Sequence, residues 1–190
     1  NLTIPYIGDS TEYHIRGYFN GEYREDVATK GKSGTKPPAT DKVYSDAGIA
    51  ILRDEWKTGM SFEDSTHLVL QAGYHSHVHK HSDDLSFVLS SLGEDILIDP
   101  GKYTYNDNIW REYFTSTKAH NTITVDNSSY EIERNQNYGS FIKDFKLGEE
   151  YSWVKAEHSL FEGGDFERTI VLLKPNVVLL FDKVQSDNAH

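Results

Sequence analysis

From Lys42 onward the sequence is a succession of short segments with strand-type composition, and this pattern constrains the fold more than any other feature. Glycine, asparagine and aspartate separate the segments, as expected for strands that are joined by tight turns. The predicted strands are residues 47–53, 66–73, 85–91, 96–99, 121–125, 140–146, 151–157, 166–173 and 177–184. Many short strands with such turns between them predict an all-β fold, specifically an antiparallel β-sandwich.

Three stretches of the chain depart from this pattern. Residues 106–117 predict a short helix or an ordered loop, and residues 174–176 predict a hairpin turn between the last two strands. Residues 1–40 combine a turn-rich opening with a stretch rich in Gly, Pro and Lys, which is typical of a linker. The pattern therefore divides the chain into residues 1–40, which precede the sandwich, and residues 41–190, which form it.

The composition argues against several classes of protein. A formal net charge of −11 disfavours non-specific binding to nucleic acid or to anionic membranes. The sequence contains no cysteine, so disulfides and thiolate metal sites are excluded. No apolar run approaches the roughly 20 residues that a membrane-spanning helix needs, and the sequence therefore predicts no membrane span.

Histidines are concentrated in one stretch, where four of the nine occupy every second position of residues 75–81. In extended backbone the side chains alternate between two faces, so His79 and His81 are expected to point the same way. Imidazole pairs at that spacing suit a divalent metal such as zinc. A predicted hairpin returns the carboxylate of Asp99 toward the histidines, and His120 opens a further predicted strand. Two histidines and one aspartate on neighbouring strands therefore predict a three-ligand metal site.

These residues also belong to a series of motifs that resembles the heparinase II/III-like domain, the β-sandwich part of several polysaccharide lyases. Several separate motifs in the family's order are more specific than a lone pair of histidines. In chain order the motifs are Ser45-Asp-Ala-Gly48, His79-Lys-His81-Ser-Asp83-Asp-Leu-Ser-Phe87, Ile98-Asp99-Pro-Gly-Lys-Tyr103, Arg111, Ala119-His120-Asn121-Thr122, Phe166-Glu-Arg168 and Asp182-Lys-Val184.

The resemblance implies a lyase-type supersandwich that here lacks the helical toroid preceding it in the family. Residues 1–40 would then be the end of that toroid and a linker, and residues 41–190 a sandwich that is incomplete at its C-terminus. The implied activity is β-elimination at a uronic acid of an acidic polysaccharide, by a bacterial enzyme that is periplasmic or secreted. Because toroid residues share the site in this family, the portion given by this chain is expected to be inactive alone.

The resemblance also assigns roles to individual residues. By motif position, His79 faces the cleft between the domains and acts in catalysis. One zinc ion, structural in its expected role, is held by His81, Asp99 and His120. In addition to these implied roles, Asp83 is a candidate to orient an imidazole ligand through a hydrogen bond. Tyr103 and Arg111 follow the Asp-Pro-Gly turn and are candidate substrate-binding residues, with Arg111 suited to a sugar carboxylate. The expected partners are the toroid of the same protein and the polysaccharide, with a second copy of the chain as a further candidate partner in a homo-oligomer.

Two alternatives compete with the lyase interpretation. Gly73, five intervening residues and then His79-x-His81 imitate the first motif of cupin metal enzymes, although Leu85 and Ser86 stand where that family has a glutamate. The second alternative is a non-catalytic carbohydrate-binding sandwich that retains zinc as a structural crosslink. Sequence pattern alone does not separate this last alternative from a lyase.

Overall fold

A computed structural model describes residues 38–56, 64–136 and 138–187. The described residues from Asp41 onward belong to one compact unit. Their strands are β1 (Lys42–Tyr44), β2 (Ile49–Arg53), β3 (His67–Gln71), β4 (Phe87–Ser91), β5 (Glu94–Leu97), β6 (Ser140–Lys146), β7 (Tyr151–His158), β8 (Gly164–Leu173) and β9 (Val177–Ser186), with helix α1 (Ile109–Thr115) between β5 and β6.

The strands form two sheets in which each strand pairs with its sequence neighbour. The first sheet has the order β1-β2-β3-β4-β5 and the second the order β6-β7-β8-β9. Every pairing is antiparallel, as in Leu68↔Leu89 of the first sheet and Ile170↔Leu180 of the second. The predicted all-β, antiparallel architecture is therefore confirmed.

The core lies between the two sheets because apolar residues alternate with polar ones along each strand. In β8, for example, the side chains of Phe166, Ile170 and Leu172 are buried while their neighbours are more exposed. Residues of both sheets contribute to a single cluster. It comprises Ala50, Leu52, Leu68, Leu70, Ala72, Leu85, Phe87, Leu89, Ile142, Val154, Ala156, Phe166, Ile170 and Leu172. A shared core between two antiparallel sheets is the predicted β-sandwich.

A buried polar cluster, which we call the Asp41 clasp, ties the start of the first sheet to the second. One carboxylate oxygen of Asp41 accepts hydrogen bonds from Ser152 Oγ (2.5 Å) and Lys174 Nζ (2.7 Å). The other oxygen accepts from the backbone N–H of Arg53 at 2.7 Å. Lys174 belongs to the predicted turn at residues 174–176, which the structure confirms between β8 and β9.

One predicted strand is wrong. Residues 121–125 form no strand, and the segment contributes only an isolated bridge between Val125 and Ser128. The segment is held by bonds to the loop before β4 instead of by a strand ladder: Asn121 N donates to Ser86 Oγ (3.1 Å) and Thr122 Oγ1 to Asp84 O (2.7 Å). Composition alone could not distinguish these side-chain contacts from a β-ladder.

Other predictions differ only in detail. Residues 106–117 do contain a helix, capped by the Asn108 side chain, which accepts from the N–H groups of Trp110 and Arg111 at 3.0 Å. No helix in the described part of the chain is long and apolar enough to cross a membrane. The expected toroid end and linker at residues 1–40 lie almost entirely outside the described residues and stay a prediction.

Candidate metal centre and substrate surface

The histidine-rich stretch is not extended, so the expected alternation of its side chains is wrong. Val78 and His79 form a turn, and His79 has a φ of 59°, in the left-handed region. A residue in that region reverses the local chain direction, which removes the two-residue period on which the prediction rested. As a result, His79 is exposed and Lys80 turns inward, while His81 is half-buried.

His79 and His81 consequently belong to different surroundings. The ring of His79 lies 6.2 Å from the ring of Tyr105, whereas the ring of His81 lies 5.5 Å from that of His120. The structure therefore separates the two members of the His-x-His pair. The separation is compatible with one solvent-facing imidazole and one imidazole in a buried cluster.

The residues expected to hold a metal meet at the end of the first sheet. His120 Nε2 lies 3.6 Å from Asp99 Oδ2, and candidate ligand atoms of His81, Asp83 and His120 lie within 4.8 Å of one another. The compact group is therefore His81, Asp83 and His120, and Asp99 lies beside His120. Asp83 was expected only to orient an imidazole. Nitrogen and carboxylate oxygen are donors that zinc accepts.

The surroundings of His120 fit a cation. Its Nδ1 lies 2.8 Å from the carbonyl oxygen of Ser116, so Nδ1 carries the proton and donates. Nε2 then presents a lone pair, yet this atom is buried and has no hydrogen-bond partner among the described residues. Buried polar atoms are almost always satisfied, and a metal ion would satisfy this one. Burial lowers the pKa of His81; Asp83 opposes this effect and the nearby His120 adds to it. The lowered pKa favours the neutral imidazole, which is the form that binds a metal.

Asn121 explains how Asp99 reaches the histidines. Asp99 lies just beyond the end of β5, and the side-chain amide of Asn121 donates to the neighbouring carbonyl of Ile98 (2.9 Å) and to Phe87 O (3.0 Å). Asn121 directly follows His120, so one side chain connects the segments that carry two of the candidate ligands. The sequence analysis did not assign it a role, although its place beside a motif histidine was a usable signal.

Lys80 anchors the histidine turn from inside. Its side chain is 7% exposed, and Nζ contacts Asp83 Oδ1 at 2.5 Å and Asp84 Oδ2 at 2.8 Å. Burial alone would lower the pKa of Lys80, but the two carboxylates outweigh that effect and the pKa is raised. Tyr130 donates to Asp84 Oδ2 at 2.5 Å. This buried network was not predicted, because a lysine between two histidines gives no sequence sign that it points inward.

An exposed surface lies beside His79, formed by the loop that follows Asp99 and by the first turn of α1. The ammonium group of Lys102 lies over the ring of Tyr105, and the Arg111 guanidinium lies 5.8 Å from the centre of the same ring. The Arg111 side chain also donates to Thr104 O at 2.7 Å, while Asp107 is 4.0 Å away and fully exposed. Two cations therefore adjoin Tyr105, the ring next to His79, in a chain whose net charge is −11.

The two predicted substrate-binding residues, Tyr103 in that loop and Arg111 in α1, have different contacts. Arg111 adjoins Tyr105, the ring that lies next to His79. The Tyr103 ring stacks on Phe114, with centroids 5.7 Å apart and planes 15° apart, and the residue is 65% exposed. A flat, exposed tyrosine of this kind can support a sugar face. Lys102 and Tyr105 are additional candidates for substrate contact.

Comparisons with known proteins agree with these observations. The family described as heparinase II/III-like, C-terminal, matches residues 36–190. A heparin-sulfate lyase of Bacteroides stercoris is 30% identical over 107 residues, 54% of this chain and 15% of that protein. A heparin-sulfate lyase of Pedobacter heparinus is 23% identical over 160 residues, 82% of this chain and 23% of that protein. The chain thus spans less than a quarter of the length of these two relatives.

The fold also has a counterpart among solved structures. The heparan sulfate lyase HepC from Pedobacter heparinus superposes with a TM-score of 0.76 at 21% sequence identity. The match covers 96% of this chain and 29% of that structure. At this level of identity the similarity shows a shared fold.

Proposed function

The chain belongs to the heparinase II/III-like family, C-terminal part, and we propose that it forms part of a polysaccharide lyase that cleaves uronic-acid-containing glycans by β-elimination. The observation that carries the proposal is the division of the His-x-His motif. His79 faces solvent beside Tyr105, whose ring two cations contact, while His81 belongs to the buried cluster with His120. One position is suited to contact a substrate and the other to hold a metal.

In β-elimination a base removes the C5 proton of the uronate. The electron pair forms the C4–C5 double bond, the bond from C4 to the glycosidic oxygen breaks, and that oxygen takes up a proton. The C5 proton is only weakly acidic, so charge that develops on the carboxylate must be stabilised by donors already in place. We propose that Arg111 and Lys102 bind the carboxylate and that His79 donates or transfers a proton. The remaining groups would come from the toroid domain.

The proposed cofactor is one zinc ion bound by His81, Asp99 and His120. Bound there, the ion would supply a crosslink between three segments that no continuous strand connects. The orientation of the His79 side chain would then depend on the ion, because His79 precedes the ligand His81 by only two residues. The orphaned Nε2 of His120 supports this assignment. We assign the ion a structural role and route no step of the reaction through it.

The proposed cellular location, substrate class and partner domain also rest on family membership. We propose a periplasmic or secreted location, with an acidic polysaccharide as substrate and a helical toroid as the intramolecular partner. Cell fractionation with a cytoplasmic marker would test the location. Recovery of the protein with that marker would contradict it.

The proposed reaction has a specific product. The intact protein, incubated with uronate-containing polysaccharides, should release oligosaccharides whose new double bond absorbs in the ultraviolet. New reducing ends without that absorbance would indicate hydrolysis and contradict the proposal. Binding of a polysaccharide without any product would favour the non-catalytic, carbohydrate-binding alternative. The cupin alternative is disfavoured by the structure, since it needs both histidines of His-x-His at one metal.

A further inference from the structure

Arg168 makes an unusual set of contacts for a residue in the middle of a sheet. It lies in β8, its side chain is 4% exposed, and it points into the sandwich. Nη1 donates to the carbonyl oxygens of Leu85 (2.8 Å) and Asn121 (2.6 Å). Nε and Nη2 donate to the two carboxylate oxygens of Asp182 in β9, at 2.7 and 2.8 Å. Two of the five N–H donors thus bind the Asp182 carboxylate, and two more bind backbone carbonyls in two loops.

Both of those loops carry residues of the candidate metal centre. Leu85 lies two residues after Asp83 and four after His81, and Asn121 directly follows His120. The Asn121 side chain in turn donates to the carbonyl of Ile98, next to Asp99. One buried side chain of the second sheet therefore bridges the segments that carry His81, Asp83 and His120, and Asn121 extends this link to the segment of Asp99.

We propose that Arg168 is a positioning residue for the metal centre, and that Asp182 orients its guanidinium for this task. The inference rests on the proposed metal site and extends it to a pair of residues on the opposite sheet. Within the pair, Arg168 contacts the backbone carbonyl oxygens of Leu85 and Asn121, not ligand atoms. Its effect on a metal is therefore indirect, through the distance between the two loops.

The chemistry of arginine explains why this residue type is needed. A planar guanidinium offers five N–H donors in a fixed geometry, so it can bind a carboxylate with two of them and still reach two carbonyls. A lysine ammonium at the same place has three donors on a flexible stem and cannot reproduce the fork. Replacing Arg168 by lysine keeps the charge and removes the geometry.

The test compares metal affinity in the intact protein and in Arg168→Lys, by competition with a chromophoric zinc chelator. Substitution of groups that support metal ligands typically weakens binding about 10–100-fold, and we expect a loss in that range. The visible spectrum of the cobalt-substituted protein should shift in band position or intensity, since the ligand geometry changes. If Arg168 only stabilised the fold, Arg168→Lys would lower the melting temperature and leave the zinc affinity and the cobalt spectrum unchanged.

The Asp41 clasp supplies a matched control, because Lys174 is also a buried cation that ties the two sheets together. Lys174→Met should lower the melting temperature without weakening zinc binding or shifting the cobalt spectrum. Asp182→Asn is a second, milder variant for the case that Arg168→Lys does not fold. It leaves the guanidinium and its donors to both carbonyls in place, and we expect a smaller loss of zinc affinity in the same direction.

Each outcome decides between the inference and its premise. Zinc binding that is equally tight in the unsubstituted protein and in a folded variant would overturn the role of Arg168 and leave the metal site intact. Equal losses in the Arg168 and Lys174 variants would also overturn it, since the effect would then be general destabilisation. No zinc binding by the unsubstituted protein would overturn the proposed metal site and this inference together.

Discussion

Two buried polar clusters connect parts of this sandwich, and they differ in how completely their atoms are satisfied. In the Asp41 clasp both carboxylate oxygens accept hydrogen bonds, from Ser152, Lys174 and the Arg53 backbone. In the cluster at the histidine turn, His120 Nε2 and Asp84 Oδ1 are buried without a hydrogen-bond partner among the described residues. His79 in the same turn also adopts a left-handed conformation that is uncommon outside glycine.

The difference indicates what each cluster is for. A fully satisfied buried network stabilises one conformation, and nothing further is required of it. Unsatisfied atoms and a left-handed residue cost free energy, and such features concentrate at functional sites. The clasp is therefore interpreted as structural and the histidine cluster as the functional centre. The following predictions test that distinction, in order of decreasing expected effect.

The largest effect is expected from the candidate ligands. A double substitution His81→Ala, Asp99→Ala should abolish near-stoichiometric zinc, measured by elemental analysis of protein purified without added metal. Two of three expected ligands are then missing, and chelation of the unsubstituted protein should likewise lower its melting temperature. Full zinc occupancy in the double variant would show that the metal, if any, lies elsewhere.

The next effect concerns His79 in the intact protein. His79→Ala should slow formation of the unsaturated product by about 10²–10⁴-fold, the usual cost of a lost acid or base. Zinc content and melting temperature should barely change, because His79 is exposed and contacts Tyr105 rather than the metal cluster. His75→Ala, another exposed histidine of the same stretch, is the matched control. Unchanged rates in the His79 variant would contradict a catalytic role, and zinc loss would mean that ligand and catalyst were exchanged.

The clasp should show the opposite behaviour. Asp41→Ala leaves the Lys174 ammonium buried without this partner, and breaking such a pair typically costs about 3–5 kcal/mol of stability. Denaturant unfolding should reveal this loss, while zinc affinity of the folded variant stays the same. A parallel loss of zinc binding would remove the distinction between the two clusters.

A pH effect is expected from His158, the buried last residue of β7. Burial lowers the pKa of His158 to about 4. Asp84 opposes this shift, and the positive charges of Lys80 and Arg168 add to it. Below a pH of about 6.5, His158 binds a proton in the unfolded chain but stays neutral in the folded protein. The free energy of unfolding therefore falls as the pH drops from about 6.5 to 4. The loss amounts to about 3 kcal/mol for this one group.

His158→Phe isolates that contribution, because the ring can still stack on Phe166, whose centroid lies 4.7 Å away. Denaturant unfolding at pH 7 and at pH 5 should show a weaker pH dependence in this variant than in the unsubstituted protein. An identical pH dependence in both proteins would show that His158 titrates normally in the folded state.

The smallest effect is expected at the exposed surface beside His79. Arg111→Lys keeps the charge but loses the planar fork that suits a carboxylate, so KM for the polysaccharide should rise several-fold. The melting temperature should not change, since Arg111 is partly exposed. A change in stability with unchanged KM would indicate that Arg111 only holds the loop before α1 through Thr104.

The sequence predicted the fold well because strand composition and turn residues are local signals. Eight of the nine predicted segments overlap strands of the structure, and residues 140–146 coincide with β6. The failure at residues 121–125 has a clear cause. The bonds of Asn121 and Thr122 go to Ser86, Phe87, Ile98 and Asp84, more than 20 residues away, which no local pattern reveals.

For the site, the sequence by itself determined which residue types are present and, through motif order, which of them meet. Tertiary structure decided where they point. A left-handed turn at His79 separated it from His81, and Lys80 turned inward because Asp83 and Asp84 offset the cost of burying its charge. Arg168 lies 83 residues from the Leu85 carbonyl that it holds. Contacts over such distances arise only when two sheets pack, because packing, and not the neighbouring sequence, determines which buried donor meets which acceptor.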